Sequence, residues 1–144
     1  MQESESMTNK PNPIPLTMVV CDMVIDDRKT GKKSIIGMFN NINSEKVPFV
    51  HSKMNVFVCL TEGMGEYDGK LQCININDEK NLFEMHGKVN FLNPHQVVEM
   101  HFELFGLSFP EFGDYRFEFL CNGKLVIARK FRVSEVQKPH REEK

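Results

Sequence analysis

The stretch Phe109-Pro110-Glu111-Phe112-Gly113-Asp114-Tyr115-Arg116-Phe117-Glu118-Phe119-Leu120-Cys121-Asn122-Gly123 decides the fold. From Tyr115 to Cys121 every second residue is aromatic or apolar, and Arg116 and Glu118 stand between them. Strict period-two alternation places one apolar row on one face of a pleated strand. Asn122-Gly123 then supplies two residues that tolerate positive φ, the chemistry of a two-residue hairpin turn. A tyrosine just inside the strand, after a Pro- and Gly-containing corner, has the placement of the tyrosine corner of immunoglobulin-like sandwiches. The cysteine that antibody domains carry two residues later is Phe117 here. The likeness is therefore to the wider sandwich class, without the disulfide.

The same grammar extends outward. Strands are expected at Leu16–Ile25, Ser34–Ile42, Met54–Thr61, Tyr67–Ile76, Leu82–Phe91, Gln96–Phe109, Asp114–Cys121 and Lys124–Val133. Turn residues separate them, and no helical period lasts eleven residues. In the first strand Asp22 interrupts the apolar row Leu16, Met18, Val20, Val24, and Gly37 inside the second marks a bulge or a close backbone approach. In Gln96–Phe109 the row Val98, Met100, Phe102, Leu104 changes phase to Phe105, Leu107, Phe109, as a bulge near Leu104–Gly106 would produce. The expected fold is all-β: a single eight-stranded antiparallel sandwich, an immunoglobulin-like Greek key, over residues 14–136. Polar, Pro-containing ends, 1–13 and 137–144, are expected as disordered tails.

Composition excludes several classes. The chain has 144 residues with 18 Lys plus Arg against 20 Asp plus Glu, a net charge of −2. No basic excess marks a nucleic-acid partner. No apolar run reaches the length of a membrane span, and no secretory signal pattern opens the sequence, so a cytoplasmic protein is expected. Cys21, Cys59, Cys73 and Cys121 form no Cys-x-x-Cys pair and read as small buried hydrophobes on strands. Thr30-Gly31-Lys32-Lys33-Ser34 brushes against the phosphate-loop pattern, but Asp26 replaces its first glycine, Lys33 its hydroxyl residue, and a strand follows where a helix is needed. No cofactor is expected.

Two surfaces stand out as candidates. If Leu82–Phe91 and Gln96–Phe109 pair as a hairpin, His86 meets His101 and Glu84 meets Glu103 on the polar face. Two imidazoles over two carboxylates are metal-ligand chemistry, and the opposed carboxylates would repel without a cation. The bland alternative is an ordinary solvated sheet face. A second surface gathers Phe57, on a nominally outer face, with Phe105, Leu107 and Phe109 beyond the phase slip; contiguous exposed apolar groups mark interaction or oligomer surfaces. His51 and His95 lie on loops, and no Ser or Cys sits in a recognisable nucleophile elbow beside them. The basic group Arg129, Lys130 and Arg132 reads as charge protecting a terminal edge strand.

Several segments carry a family likeness: Cys21–Asp26, Thr30-Gly31-Lys32, Ser34–Phe39, Pro48-Phe49-Val50-His51, Gly113–Phe117, Asn122-Gly123 and Phe131-Arg132-Val133. Together they resemble a family of small bacterial β-sandwich proteins of uncharacterised function. The resemblance implies a fold and a length, and no activity, cofactor or site residue. The expected function is a non-catalytic interaction or scaffold module whose partner is an unidentified protein or a further copy of itself in a homo-oligomer, working through a sheet face, a strand edge or the end loops Phe49–Ser52 and Glu62–Glu66. The alternatives are a metal-dependent enzyme or metal-binding protein using Glu84, His86, His101 and Glu103, and a structural subunit of a larger assembly.

Overall fold

The computed structural model describes residues 10–137. It contains nine strands and, among the described residues, no helix: β1 Ile14–Asp26, β2 Lys33–Met38, β3 Asn41–Ser44, β4 Phe49–Thr61, β5 Gly65–Asn75, β6 Lys80–Phe91, β7 Val97–Phe109, β8 Gly113–Cys121 and β9 Lys124–Glu135. Two sheets pack face to face, ordered β2-β1-β4-β7 and β3-β9-β8-β5-β6. Every expected strand is present. The ninth arises because the second expected strand divides at Phe39-Asn40, where the chain leaves one sheet for the other. β3 then lies parallel to β9, from Asn41 opposite Arg132 to Ser44 opposite Glu135, so the larger sheet is mixed rather than antiparallel. β9 is correspondingly an inner strand, and its basic residues do not guard an edge.

The alternating rows form the core. Met18 and Val20 of β1, Met54, Val56, Val58 and Leu60 of β4, and Leu104 of β7 face Leu71 and Cys73 of β5, Phe117 and Phe119 of β8, and Phe131 of β9. Phe131 stacks on Tyr115 at 5.8 Å and on Phe117 at 5.1 Å, and Phe109 meets Tyr115 edge-on at 5.1 Å. The Tyr115 hydroxyl donates to the Glu111 carbonyl at 2.5 Å and accepts from the Glu111 N–H at 3.2 Å. This is the bond expected of a tyrosine corner, and it fixes how the chain enters β8. Asn122 and Gly123 take φ of 51° and 79°, as a type I′ hairpin requires. All four cysteines are buried and free.

The phase slip in β7 centres on Gly106, at φ 67°. β4 slips with it, so Phe49 still faces Phe109 and Met54 still faces Leu104. A paired kink keeps the register while both strands change faces. β1 kinks in the same manner at Asp22, opposite Gly37. Beyond that kink the β1–β2 hairpin folds across the outer face of the smaller sheet: Lys33, beside its turn, bonds Asp26 at 2.9 Å and reaches Glu99 of the far strand β7 at 3.4 Å. Val24 and Ile35 thereby cover a second small cluster of Val19, Cys21, Phe57 and Cys59.

Of the expected tails, 1–9 and 138–144 lie outside the described residues. Lys10 to Pro13 are placed against the domain: the Tyr67 hydroxyl donates to the Pro11 carbonyl at 2.8 Å, and the Lys10 ammonium sits 4.1 Å from the Tyr67 ring centre. No helix among the described residues is long and apolar enough to cross a membrane.

Candidate functional site

A cleft opens where β2 of one sheet parts from β3 of the other. Its position follows from the kink in β1. Asp22 occupies a core-facing phase at the end of the apolar row, where a buried carboxylate would be costly. The strand kinks there, and the Asp22 side chain lies across Gly37. A Cβ at position 37 would stand 2.3 Å from Asp22 Oδ2, so only glycine permits this packing, and its φ of 72° favours glycine as well. The chain then crosses through Phe39 and Asn40 into β3. The opening left behind has a volume of about 350 Å³. Its walls are Asp22, Gly37 and Phe39 on one side, Asn41, Ile42 and Asn43 on another, and Phe49 with His51 from the start of β4.

His51 is set between two rings, its centroid 6.1 Å from Phe39 and 5.8 Å from Phe49. Burial lowers its pKa, and the Asp22 carboxylate and a backbone hydrogen bond at Lys53 offset only part of that. The imidazole is therefore neutral near pH 7. Among the described residues the Asp22 carboxylate has no hydrogen-bond or ion-pair partner. Its carbonyl, by contrast, accepts from Asn55 Nδ2 at 3.0 Å. Asn55 is 1% exposed and its Oδ1 has no partner; it serves as the clamp on the kink.

The main chain contributes too. Arg132 N–H donates to Asn40 O and Val136 N–H to Ser44 O, each at 2.9 Å. In a parallel ladder this alternation turns the backbone groups of residues 40, 42 and 44 toward β9 and those of Asn41 and Asn43 away from it. β3 is the last strand of its sheet, so its outward donors and acceptors at Asn41 and Asn43 face the cleft side without a neighbouring strand. Asn41 Nδ2 donates to Asn43 Oδ1 at 2.9 Å, and Ser134 Oγ to Asn41 Oδ1 at 2.6 Å, which holds this edge straight.

Among the described residues, the cleft walls hold no Ser, Thr, Cys or Lys nucleophile. The cysteines are far from reactive: burial raises Cys73 to about 12 and Cys121 to about 11, so both remain thiols at neutral pH.

The metal patch expected from sequence is not assembled. β6 and β7 do not pair; they are edge strands of different sheets. β6 pairs with β5, placing Glu84 opposite Gln72 and His86 opposite Lys70. β7 pairs with β4, placing His101 opposite Phe57 and Glu103 opposite Asn55. Glu84 bonds His86 along its own strand at 3.1 Å, and Glu103 meets Lys53 at 3.7 Å. No group of three His, Cys, Asp or Glu able to hold a metal occurs among the described residues. The reason for the error is physical. Both strands turn their apolar rows to one shared core from opposite sides, and alternation reads the same for that arrangement as for a hairpin. The loop decides: Glu62 N–H donates to Pro94 O and Thr61 Oγ1 to Gln96 O, tying the start of β7 to the end of β4.

The four apolar candidates also part company. Leu107 and Phe109 are core residues, and Phe57 is buried under the β1–β2 hairpin. Phe105 alone is exposed, at 67%, with the Lys53 ammonium 6.0 Å from its ring centre. Of the cleft residues, His51 and Phe49 stood in an expected end loop. Asp22 and Gly37 were visible only as irregularities inside strands, Phe39 and Asn41 were absorbed into one continuous strand, Ser34–Ile42, and Asn43 fell in the loop read after it.

No curated protein matches this chain. Among solved structures, an immunoglobulin-like protein from Pseudomonas aeruginosa superposes with a TM-score of 0.45 at 10% identity, covering 87% of this chain and 98% of that one. A β-glucosidase from Listeria innocua gives the same TM-score and identity over 82% of this chain, which corresponds to 16% of the enzyme. Neither likeness transfers an activity. A family model does match, over residues 16–134, from the third residue of β1 to the last residue but one of β9. The chain belongs to that family, a family of unknown function designated DUF6941.

Proposed function

We propose that this protein is a non-catalytic interaction module that takes an extended segment of a partner protein into the cleft as an added strand on the free edge of β3. One observation carries the reading: the outward backbone groups of Asn41 and Asn43 lie beside a half-apolar cleft of about 350 Å³. Strand addition draws affinity from main-chain hydrogen bonds and specificity from pockets that take alternate side chains. Here the edge supplies the first and the space between Phe39, Phe49 and His51 the second. We also read the sandwich as immunoglobulin-like in its Greek-key connections, on the strength of the Tyr115 corner and the chain crossings between sheets.

A displayed library of random extended peptides, panned against the full chain, tests this. Enriched peptides are expected to bind the native protein and to lose binding in Asn43→Pro, which removes an outward N–H while leaving the bonds of Ile42 and Ser44 to β9 in place. A thermal melt of the variant checks that the fold survives. Peptide binding undiminished in folded Asn43→Pro, or no enrichment at all, overturns the reading.

A further inference from the structure

Resting on that strand-addition reading, we propose that the cleft selects partner segments by a lysine or arginine side chain, whose cationic head sits at Asp22 between the rings of Phe39, Phe49 and His51. Among the described residues that line the cleft, the carboxylate is the only charged side chain apart from a histidine that is neutral near pH 7, so this wall is negative. Nothing placed around it neutralises that charge. Arg129, whose guanidinium reaches Asn40 at one margin, directs its bonds to Met18 O at 2.9 Å and Asn40 Oδ1 at 2.7 Å. Asp22 is exposed to the cleft, yet its place is set: its own carbonyl is clamped by Asn55, and its side chain lies in the space that glycine leaves at 37.

The rings supply the second half of the chemistry. An ammonium or guanidinium is attracted to an aromatic face, and the aliphatic stem behind it packs against apolar surface. Phe39 and Phe49 flank His51 at tilted angles of 54° and 57°, so ring faces and edges line the cleft. A carboxylate with aromatic walls favours a cation over a neutral side chain of equal length, and rejects an acidic one by like-charge repulsion and desolvation. Strand geometry makes the selection positional: only alternate residues of an added strand point the same way.

The experiment uses short labelled peptides with an alternating Thr/Ser background and one central position occupied by Lys, Arg, norleucine or Glu, titrated by fluorescence anisotropy into the full chain and into Asp22→Asn. The Lys and Arg peptides are expected to bind about ten-fold more tightly than the norleucine peptide, an effect of the size that one partly exposed ion pair and one cation–π contact supply together. In Asp22→Asn that preference is expected to vanish while the residual, charge-independent binding persists and remains sensitive to Asn43→Pro. Equal binding of Lys and norleucine peptides to the native chain, or a cation preference retained in Asp22→Asn, overturns this inference and leaves the strand-addition reading standing. If no peptide binds, both fall.

Discussion

His51 is the residue at which pH reaches the fold. Burial lowers its pKa below the ordinary value of 6.5. Between that value and the lower one in the native state, the unfolded chain binds a proton that the folded chain resists, so stability falls as pH falls through the window and recovers above about 6.5. Urea unfolding at stepped pH is expected to show this decline, and His51→Gln is expected to flatten it; an unchanged slope in the variant would assign the decline elsewhere. Tyr115 acts through one oxygen. Tyr115→Phe keeps the ring stack on Phe131 and removes both bonds to Glu111. The loss is expected to be about 1–3 kcal/mol, since a backbone donor and acceptor lose their partner at the chain's entry into β8. Thermal unfolding of the purified variant measures it.

At the scale of elements, the β1–β2 hairpin is the most informative. Its strands do not simply extend the smaller sheet; past Asp22 they cross over it and shield Phe57 and Cys59. The surface ion pairs of Lys33 contribute little on their own, because Asp26 and Glu99 are well solvated. The pin is Asn55, buried beneath the bend with its amide on the Asp22 carbonyl. Asn55→Ala is expected to cost about 1–3 kcal/mol overall, from a lost buried hydrogen bond and its orphaned carbonyl. Amide exchange read peptide by peptide is expected to accelerate in Met23–Met38 more than in β8. Uniform acceleration across the chain would mean that Asn55 supports the core as a whole rather than the bend.

For the whole molecule, the extent of the folding unit is open to test. Lys10 to Pro13 read as tail, yet the Tyr67 hydroxyl, on a ring that is 1% exposed, uses the Pro11 carbonyl as its acceptor. A chain beginning at Ile14 leaves that buried hydroxyl with one bond fewer, and a penalty of about 1–3 kcal/mol is expected, seen as a fall of several degrees in Tm. An unchanged melt would show that water replaces Pro11 fully. The pairings of β1 with β4, β4 with β7 and β5 with β8 join distant parts of the sequence, whereas β8 and β9 form a local hairpin.

What the amino-acid order determined by itself is local. Period-two alternation located every strand but β3, Asn122-Gly123 located a hairpin, Tyr115 a corner, and the slip near Leu104–Gly106 a change of face, because each rests on the stereochemistry of a few consecutive residues. The burial of the four cysteines was legible for the same reason. Which strand lies beside which was decided only by tertiary structure. Alternation states that a row is apolar but not from which side of the core it is buried, so β6 and β7 passed for a hairpin and His86 was set beside His101. Likewise Ser34–Ile42 passed for one strand, since the step at Phe39-Asn40 from one sheet to the other leaves no mark in polarity. The cleft exists at that step. Asp22, Phe39, Asn43 and His51 come from four separate segments and meet only because two sheets part there, and no spacing along the chain encodes that meeting.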